Sequence, residues 1–406
     1  MIIPRSAEME ILNGIKKWLL VYGRRKTGKS FLIENFIQYD DYFFVKRDRT
    51  ILSKKSSKTM SYETFIELVK MQLEDGKTIV IDEFHRLGDD FFDFVHYTKK
   101  SGKMILVSST LFLSKKLLSV HSPLVGFFAE IPIGLIDLKD CITSLKKLYP
   151  DKKQLTEMAV IVREPITIPY LNENIPTRKA FAEMLAASAK TVPTLVGEVF
   201  VEEDRTMSAV YEGLLRAIAN GKAVSTEMSS YLFSRGLIKK DDSSMIQQYL
   251  NNLVEFGLIK KLQVHNRNKF IYRILSPLCW AFYYADEKYN ISEKQLNVLE
   301  LERIVEQLMP HIMEDQLREF IASEKGLTET VVQTTDSEID GLLLRFKKPE
   351  IAMEVKWKEK IDKKDIADAE KNLEKVTAKE KWLVVPDKKK VKQKTKLKVV
   401  DIFDLI

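Results

Sequence analysis

The 406-residue chain has only two cysteines, Cys141 and Cys279. They lie far apart and share no metal-ligand spacing, so they read as two reduced, buried thiols and not as a disulfide framework. No stretch approaches the roughly 18 uninterrupted apolar residues of a membrane span. The opening MIIPRSAEMEIL carries acidic residues and no long apolar core, unlike a secretory signal. These absences predict a soluble cytoplasmic protein that does not engage a membrane. Internal repeats are also lacking, and the charge excess is slight: 65 Lys and Arg against 58 Asp and Glu, a formal +7. Such a balance permits a polyanionic partner without requiring one. A chain that is 45% hydrophobic and 30% charged is globular, which excludes a disordered, collagen-like or coiled-coil protein. At roughly 100–200 residues per domain, about two to four domains are expected.

Four regions separate by pattern. In residues 1–135 the apolar runs WLLVYG, YFFVK, TIVIDE and MILVSS read as buried strands. Helical patterns follow Lys29 and span Tyr62–Leu73 and 90–100. Strands alternating with helices predict a mostly parallel sheet covered on both faces. Residues 136–204 are helical, broken by prolines at 150, 165, 169, 176 and 193. Residues 205–290 form a third unit and 291–406 a fourth. The fourth ends in the lysine run 388–398 and the apolar VVDIFDLI, expected as an exposed turn followed by a docked strand and short helix.

Residues 23–30, Gly23-Arg24-Arg25-Lys26-Thr27-Gly28-Lys29-Ser30, fit the phosphate-loop pattern in full. The glycines let backbone N–H groups wrap around phosphate oxygens, and Lys29 reaches the β- and γ-phosphates. The Ser30 hydroxyl ligates Mg²⁺ at the start of a helix. The context matches, because a strand pattern precedes the loop and an amphipathic helix follows. A second strand ends in Asp82-Glu83. Asp82 is expected to hold Mg²⁺ through water, and Glu83 to polarise the water that attacks the γ-phosphate of ATP. A third strand ends in Ser108-Ser109-Thr110, where a polar side chain often senses that phosphate. Arg163 and Arg178 are candidates for an arginine finger, although each reads as a surface residue.

GRRKTGKS, IDEFHRL and LVSST, in this order and spacing, resemble the archaeal ATPase family in the STAND branch of AAA+ proteins. The resemblance implies a P-loop core, a helical subdomain, a winged helix and a C-terminal restriction-endonuclease-like domain. The family's Gly-x-Pro-Tyr motif corresponds to Thr167-Ile168-Pro169-Tyr170, without the glycine.

Residues 208–275 read as a winged helix in their own right. Three amphipathic segments, SAVYEGLLRAIANGK, TEMSSYLFSRG and DSSMIQQYLNNLVEFGLI, precede a hairpin turning at Asn266-Arg267-Asn268. Asp242 or Ser243 caps the third helix. A DNA-binding role places that helix in a major groove and Lys260, Arg267 and Lys269 on phosphates. Its exposed face would show Gln247, Gln248, Asn251, Asn252 and Glu255, which are not basic, so intramolecular packing is the competing role.

Near the C-terminus, Ser337-Glu338-Ile339-Asp340 and Glu354-Val355-Lys356-Trp357 lie on apolar strands flanking a turn at 346–350. Residues i and i+2 of a strand share a face, so Glu354 and Lys356 point the same way and Asp340 can join them. Two carboxylates on adjacent strands suit Mg²⁺ or Mn²⁺, and a lysine can orient water and stabilise phosphorane charge. In the family this domain runs as a helix with an acidic residue, then Gly-Glu-Ile-Asp, then Glu-Cys-Lys-Trp. The resemblance therefore adds Glu314, with Ser337 and Val355 as departures.

The expectation is an α/β multidomain chain: an AAA+-like parallel-sheet domain (1–135), a helical subdomain (136–204), a winged helix (205–290) and a restriction-endonuclease-like domain (291–406). ATP and Mg²⁺ bind at residues 23–30 and Asp82. Glu83 serves ATP hydrolysis. Asp340, Glu354, Lys356 and Glu314 serve metal-dependent cleavage of DNA, with Asp340 and Glu354 on the metal. The alternatives are a nucleotide-driven switch, a homo-oligomer among its forms, whose C-terminal fold is an interaction module, and an initiator-like DNA-binding ATPase.

Overall fold

The structure is a computed structural model and describes residues 1–98, 101–109, 124, 126–202, 207–294, 296–333 and 338–406. The 90–100 helix expectation thus ends in part outside the described residues, as do Thr110 and Ser337.

The first sheet is built from β1 (Trp18–Tyr22), β2 (Asp41–Val45), β3 (Ile51–Ser53), β4 (Lys58–Met60), β5 (Thr78–Asp82), β6 (Lys103–Ser108) and β7 (Phe128–Pro132). Its order is β4-β3-β2-β5-β6-β1-β7. The five strands β2, β5, β6, β1 and β7 are parallel, and β3 and β4 add an antiparallel edge. Alternate residues enter different cores. Leu20, Ile79, Ile81 and Leu106 pack on one face, and Leu19, Val21, Val80 and Val107 on the other. Burial on both faces explains why these strands read as unbroken apolar runs. Helices cover them: Lys29–Phe36 lies with the second core, and Tyr62–Glu74 and Asp89–Tyr97 lie with the first.

Helices Leu138–Leu145, Lys152–Val162, Thr177–Ser188 and Thr191–Glu202 follow. Asp137 and Asp151 cap the first two, accepting from the Lys139 and Gln154 N–H groups. Three further helices, Ala209–Ala219, Ser225–Ser234 and Gln247–Glu255, precede an antiparallel hairpin of β8 (Ile259–Gln263) and β9 (Phe270–Ile274). Asp242 caps the turn into the third of these helices, accepting from the Ser244 N–H. The helix Pro277–Tyr289 then leads to the 28-residue helix Val298–Lys325, which opens with an Asn297–Glu300 capping box.

The last sheet has the order β10-β11-β12-β13-β14, formed by β10 (Thr328–Gln333), β11 (Glu338–Arg345), β12 (Lys348–Val355), β13 (Glu380–Val384) and β14 (Lys398–Val400). The first three strands are antiparallel; β13 and β14 continue parallel to β12. The β11–β12 turn is tighter than the five residues expected. Phe346 and Lys347 alone bridge the strands, both with positive φ, the geometry that matches strand twist. One sheet face joins a core shared with the preceding helices through Leu343, Met353, Trp357 and Trp382. The other packs on the helix Lys363–Glu374. Among the described residues no single helix is long and apolar enough to cross a membrane; only the bent pair Thr177–Ser188 and Thr191–Val201 passes on length and composition.

Candidate functional sites

The phosphate loop joins β1 to the helix Lys29–Phe36. A Cβ on Gly23 would lie 2.1 Å from the Ile133 carbonyl oxygen, so the loop approaches the chain just after β7 too closely for any side chain there. Gly28 caps the helix at φ +87, a left-handed conformation that costs glycine little. Lys29 is buried and its Nζ donates to the Gly23 and Arg24 carbonyls at 2.8 and 2.9 Å. The Ser30 hydroxyl donates to Oδ2 of Asp82 at 2.7 Å, and the Tyr42 hydroxyl donates to the same oxygen at 2.6 Å. The Ser30 oxygen and the Asp82 carboxylate form a hard-oxygen pair at the end of β5, which suits Mg²⁺.

Glu83 follows at φ +58. A left-handed conformation in a non-glycine residue costs about 1–3 kcal/mol and persists only where surrounding contacts impose it. Here Oε2 accepts from Arg86 at 3.0 Å and from the Ser109 hydroxyl at 3.1 Å. His85 faces the same oxygen at 3.4 Å and Ser108 at 3.2 Å. Burial, aided by Arg86 and Lys29, pushes His85 down to about 4, so its ring is neutral near pH 7. The side chains of Arg24 and Arg25 both carry ion pairs. Arg24 forms a buried ion pair with Glu164, and Arg25 pairs with Glu198 at 3.5 Å.

Sequence reasoning missed the apolar pocket beside this loop. A cavity of about 300 Å³ is lined by Ile2, Ile3, Phe31, Ile136, Ile168 and Pro169, among others, and reaches Thr27 and Gly28. Its size and apolar wall next to a phosphate cradle suit a nucleobase. The only sequence signals were the apolar Ile2-Ile3 and the Thr167-Ile168-Pro169-Tyr170 stretch.

A family model described as an AAA domain matches residues 15–139. This segment is an AAA-type ATPase domain. It contains the whole loop, Asp82 and Glu83. A comparison with curated proteins finds no match. Among solved structures, the Walker-type ATPase PABY2304 of Pyrococcus abyssi aligns at 17% identity and a TM-score of 0.46, covering 70% of this chain and 96% of its own. The Aeropyrum pernix ORC2 protein, in ADPNP-ADP complexes, aligns at 12% identity and TM-score 0.38, covering 76% and 93%. Cdc6p from Pyrobaculum aerophilum aligns at 15% and 0.29, covering 75% and 93%.

A second constellation lies in the C-terminal sheet. Asp340 on β11 sits one residue beyond the paired Gly341 and Met353, which places it against Glu354 on β12. Oδ2 of Asp340 accepts from the Val355 N–H at 2.7 Å. Glu354 is buried; its Oε2 accepts from Lys356 at 2.9 Å and its Oε1 from Asn372 at 3.4 Å. Burial, with Glu314 and Glu354 close by, pushes the Asp340 carboxyl up to about 8. Burial also raises Glu354. Burial opposes the charge on Lys356, but Glu354 outweighs it and holds the ammonium above its usual range. Glu314 projects from the helix Val298–Lys325 and faces His311 at 3.2 Å. Asp340, Glu354, Lys356 and Glu314 are thus neighbours. Among the described residues no three His, Cys, Asp or Glu side chains form a metal cage. The donor set is instead two carboxylates, which suits Mg²⁺ because that ion keeps most of its waters.

Several sequence expectations are corrected. Lys260 does not face solvent: Asp315, Glu319 and Glu329 surround it at 2.8–3.2 Å. Asn252 is buried and donates to the Tyr211 hydroxyl at 2.6 Å. Arg163 is buried on Gln316 and Glu319, and Arg178 binds Glu157 and Glu306, so neither points from a free surface. The lysine run is partly ion-paired, through Lys388 to Asp404, Lys390 to Glu359 and Lys398 to Glu380.

Proposed function

We propose that the chain couples its ATPase domain to a C-terminal, metal-dependent nuclease domain of the restriction-endonuclease-like type, acting on DNA. The order helix, three antiparallel strands, helix, parallel strand supports that fold. One observation carries the chemistry: Asp340 and Glu354 on adjacent strands converge with Lys356, one residue past the end of β12, tied by the Val355 N–H to Asp340. Buried charges on otherwise apolar strands need compensation, and function is a frequent reason for such clustering. Asp340 and Glu354 would hold Mg²⁺ or Mn²⁺, which when bound polarises the phosphodiester and activates water. Lys356 orients that water and offsets negative charge in the transition state. Glu314 bounds the site from the helix.

At the nucleotide site, the backbone of residues 23–30 cradles phosphates and Lys29 leaves its carbonyl partners for phosphate oxygens. Ser30 and Asp82 would hold Mg²⁺, and Glu83 orients the attacking water. Residues 205–290 are read as a winged helix. Arg267 is exposed at its turn and Lys269 lies beside it, so a DNA-binding, initiator-like role would use this wing.

A second reading, a nucleotide-driven switch of the STAND type, has one observation in its favour. Glu255 and Phe256, at the end of the third winged-module helix, share a cavity with Gly23 and Arg24 of the phosphate loop. This proximity supports a module that responds to the state of the loop. Substituting Glu354→Ala separates the two readings. DNA cleavage should disappear while ATP binding persists; equal cleavage by the variant would sink the nuclease assignment.

A further inference from the structure

Two of the carboxylates of the C-terminal site open into a cavity. Asp340 and Glu314 line a cavity of about 610 Å³ whose other wall comes from the preceding module. That wall includes Arg273 from β9, Tyr284 from the helix Pro277–Tyr289 and the chain around Asn220. Trp280 fixes it there, donating from Nε1 to the Ala219 carbonyl at 3.1 Å. The hairpin is tied to the C-terminal sheet as well. Val264 bridges Val331 of β10, and the His265 N–H donates to the Val331 carbonyl at 2.9 Å.

This shape favours some ligands over others beside Asp340. Duplex readers present a convex helix or ribbon to a major groove about 12 Å wide. A concave space within the roughly 300–1,000 Å³ range of small-molecule sites admits a nucleotide or two instead. The wall chemistry agrees. Tyr284 is half-buried, with Lys288 over its ring at 4.1 Å, and single-strand sites combine aromatic faces with cations. Arg273 adds a guanidinium suited to phosphate.

We propose that this cavity takes the unpaired end of a nucleic-acid strand, so that the substrate of the C-terminal site is a single-stranded terminus and not intact duplex. The proposal rests on the nuclease reading for its chemistry and on the cavity for its selectivity. Arg273 holds a phosphate and Tyr284 stacks a base, which brings the adjoining phosphodiester toward Asp340 on the cavity wall.

The test uses the full chain. Fluorescence anisotropy in Ca²⁺ compares an end-labelled eight-nucleotide thymidine strand with a blunt duplex. Cleavage of both is then followed in Mg²⁺ and Mn²⁺. The single strand should bind at least tenfold more tightly. Tyr284→Ala and Arg273→Glu should each weaken it about tenfold, in line with the loss of one stacked base or one phosphate contact. Arg273→Lys and Tyr284→Phe, which preserve charge and packing, should retain most of the binding and control for folding. Equal or tighter duplex binding, or single-strand binding indifferent to both disruptive substitutions, overturns the proposal. Single-strand binding through Tyr284 and Arg273 without cleavage in either metal would overturn the hydrolytic reading and uphold the pocket's selectivity.

Discussion

Arg24 of the phosphate loop and Glu164 of the helical segment form a buried ion pair. The preceding residue, Arg163, binds Glu319 at 2.8 Å on the helix that also carries Glu314. Two adjacent residues thus join the nucleotide loop to the scaffold of the C-terminal site. Removing one partner strands the other. Glu164→Ala should cost about 3–5 kcal/mol, the usual penalty for breaking a buried pair. Thermal unfolding with and without ATP checks this; an unchanged Tm would show that the pair is not stabilising.

Glu83 is held by Arg86 and Ser109 at the end of β5 in a strained backbone conformation. If its carboxylate orients the attacking water, Glu83→Gln should lower kcat for ATP by roughly 10²–10⁴-fold. ATP affinity should change little, because Lys29 and the loop carry binding. Calorimetry beside steady-state hydrolysis separates the two effects, and a lost affinity with intact kcat would refute the role.

Glu319 supplies the pH dependence. Burial raises its pKa, but Lys260 and Arg163 outweigh burial and hold the carboxyl well below its usual range. The unfolded chain therefore binds the proton first as pH falls. The stabilisation is fully present above about pH 4.3, the ordinary glutamate value, and declines below it. Glu319→Gln should destabilise the protein by roughly 1–3 kcal/mol at pH 7. The gap from wild type should narrow below about pH 4.3. Urea unfolding across pH 3–7 reads this out; a constant gap would contradict the assignment.

Much of the nucleotide site was legible because it is local. Residues 23–30 and Asp82-Glu83 lie at strand ends, and the strands declare themselves by continuous apolar runs. The short strands β3 and β4, three residues each, have too few residues to show alternation. Lys260 and Asn252 were misplaced for another reason. Helical or strand period tells which face a residue takes, but not which distant chain covers that face. Glu319 and Glu329 come from about 60 and 70 positions away to bury Lys260, and Tyr211 comes from about 40 to meet Asn252. The apolar cavity beside the phosphate loop was equally hidden, being assembled from residues 1–5, 27–36, 136 and 165–169. In the C-terminal site, the i, i+2 rule was enough to put Glu354 beside Lys356. The wall that narrows access to Asp340 comes from other elements and leaves no local mark.

The measurement that tests the central claim most directly is cleavage of plasmid and single-stranded DNA with Mg²⁺ or Mn²⁺, with and without ATP, for wild type beside Lys356→Ala. Coupling of an ATPase to a C-terminal nuclease predicts metal-dependent cleavage by wild type that is altered by ATP and lost in the variant. Absence of cleavage under every condition, or equal cleavage by Lys356→Ala, would contradict it.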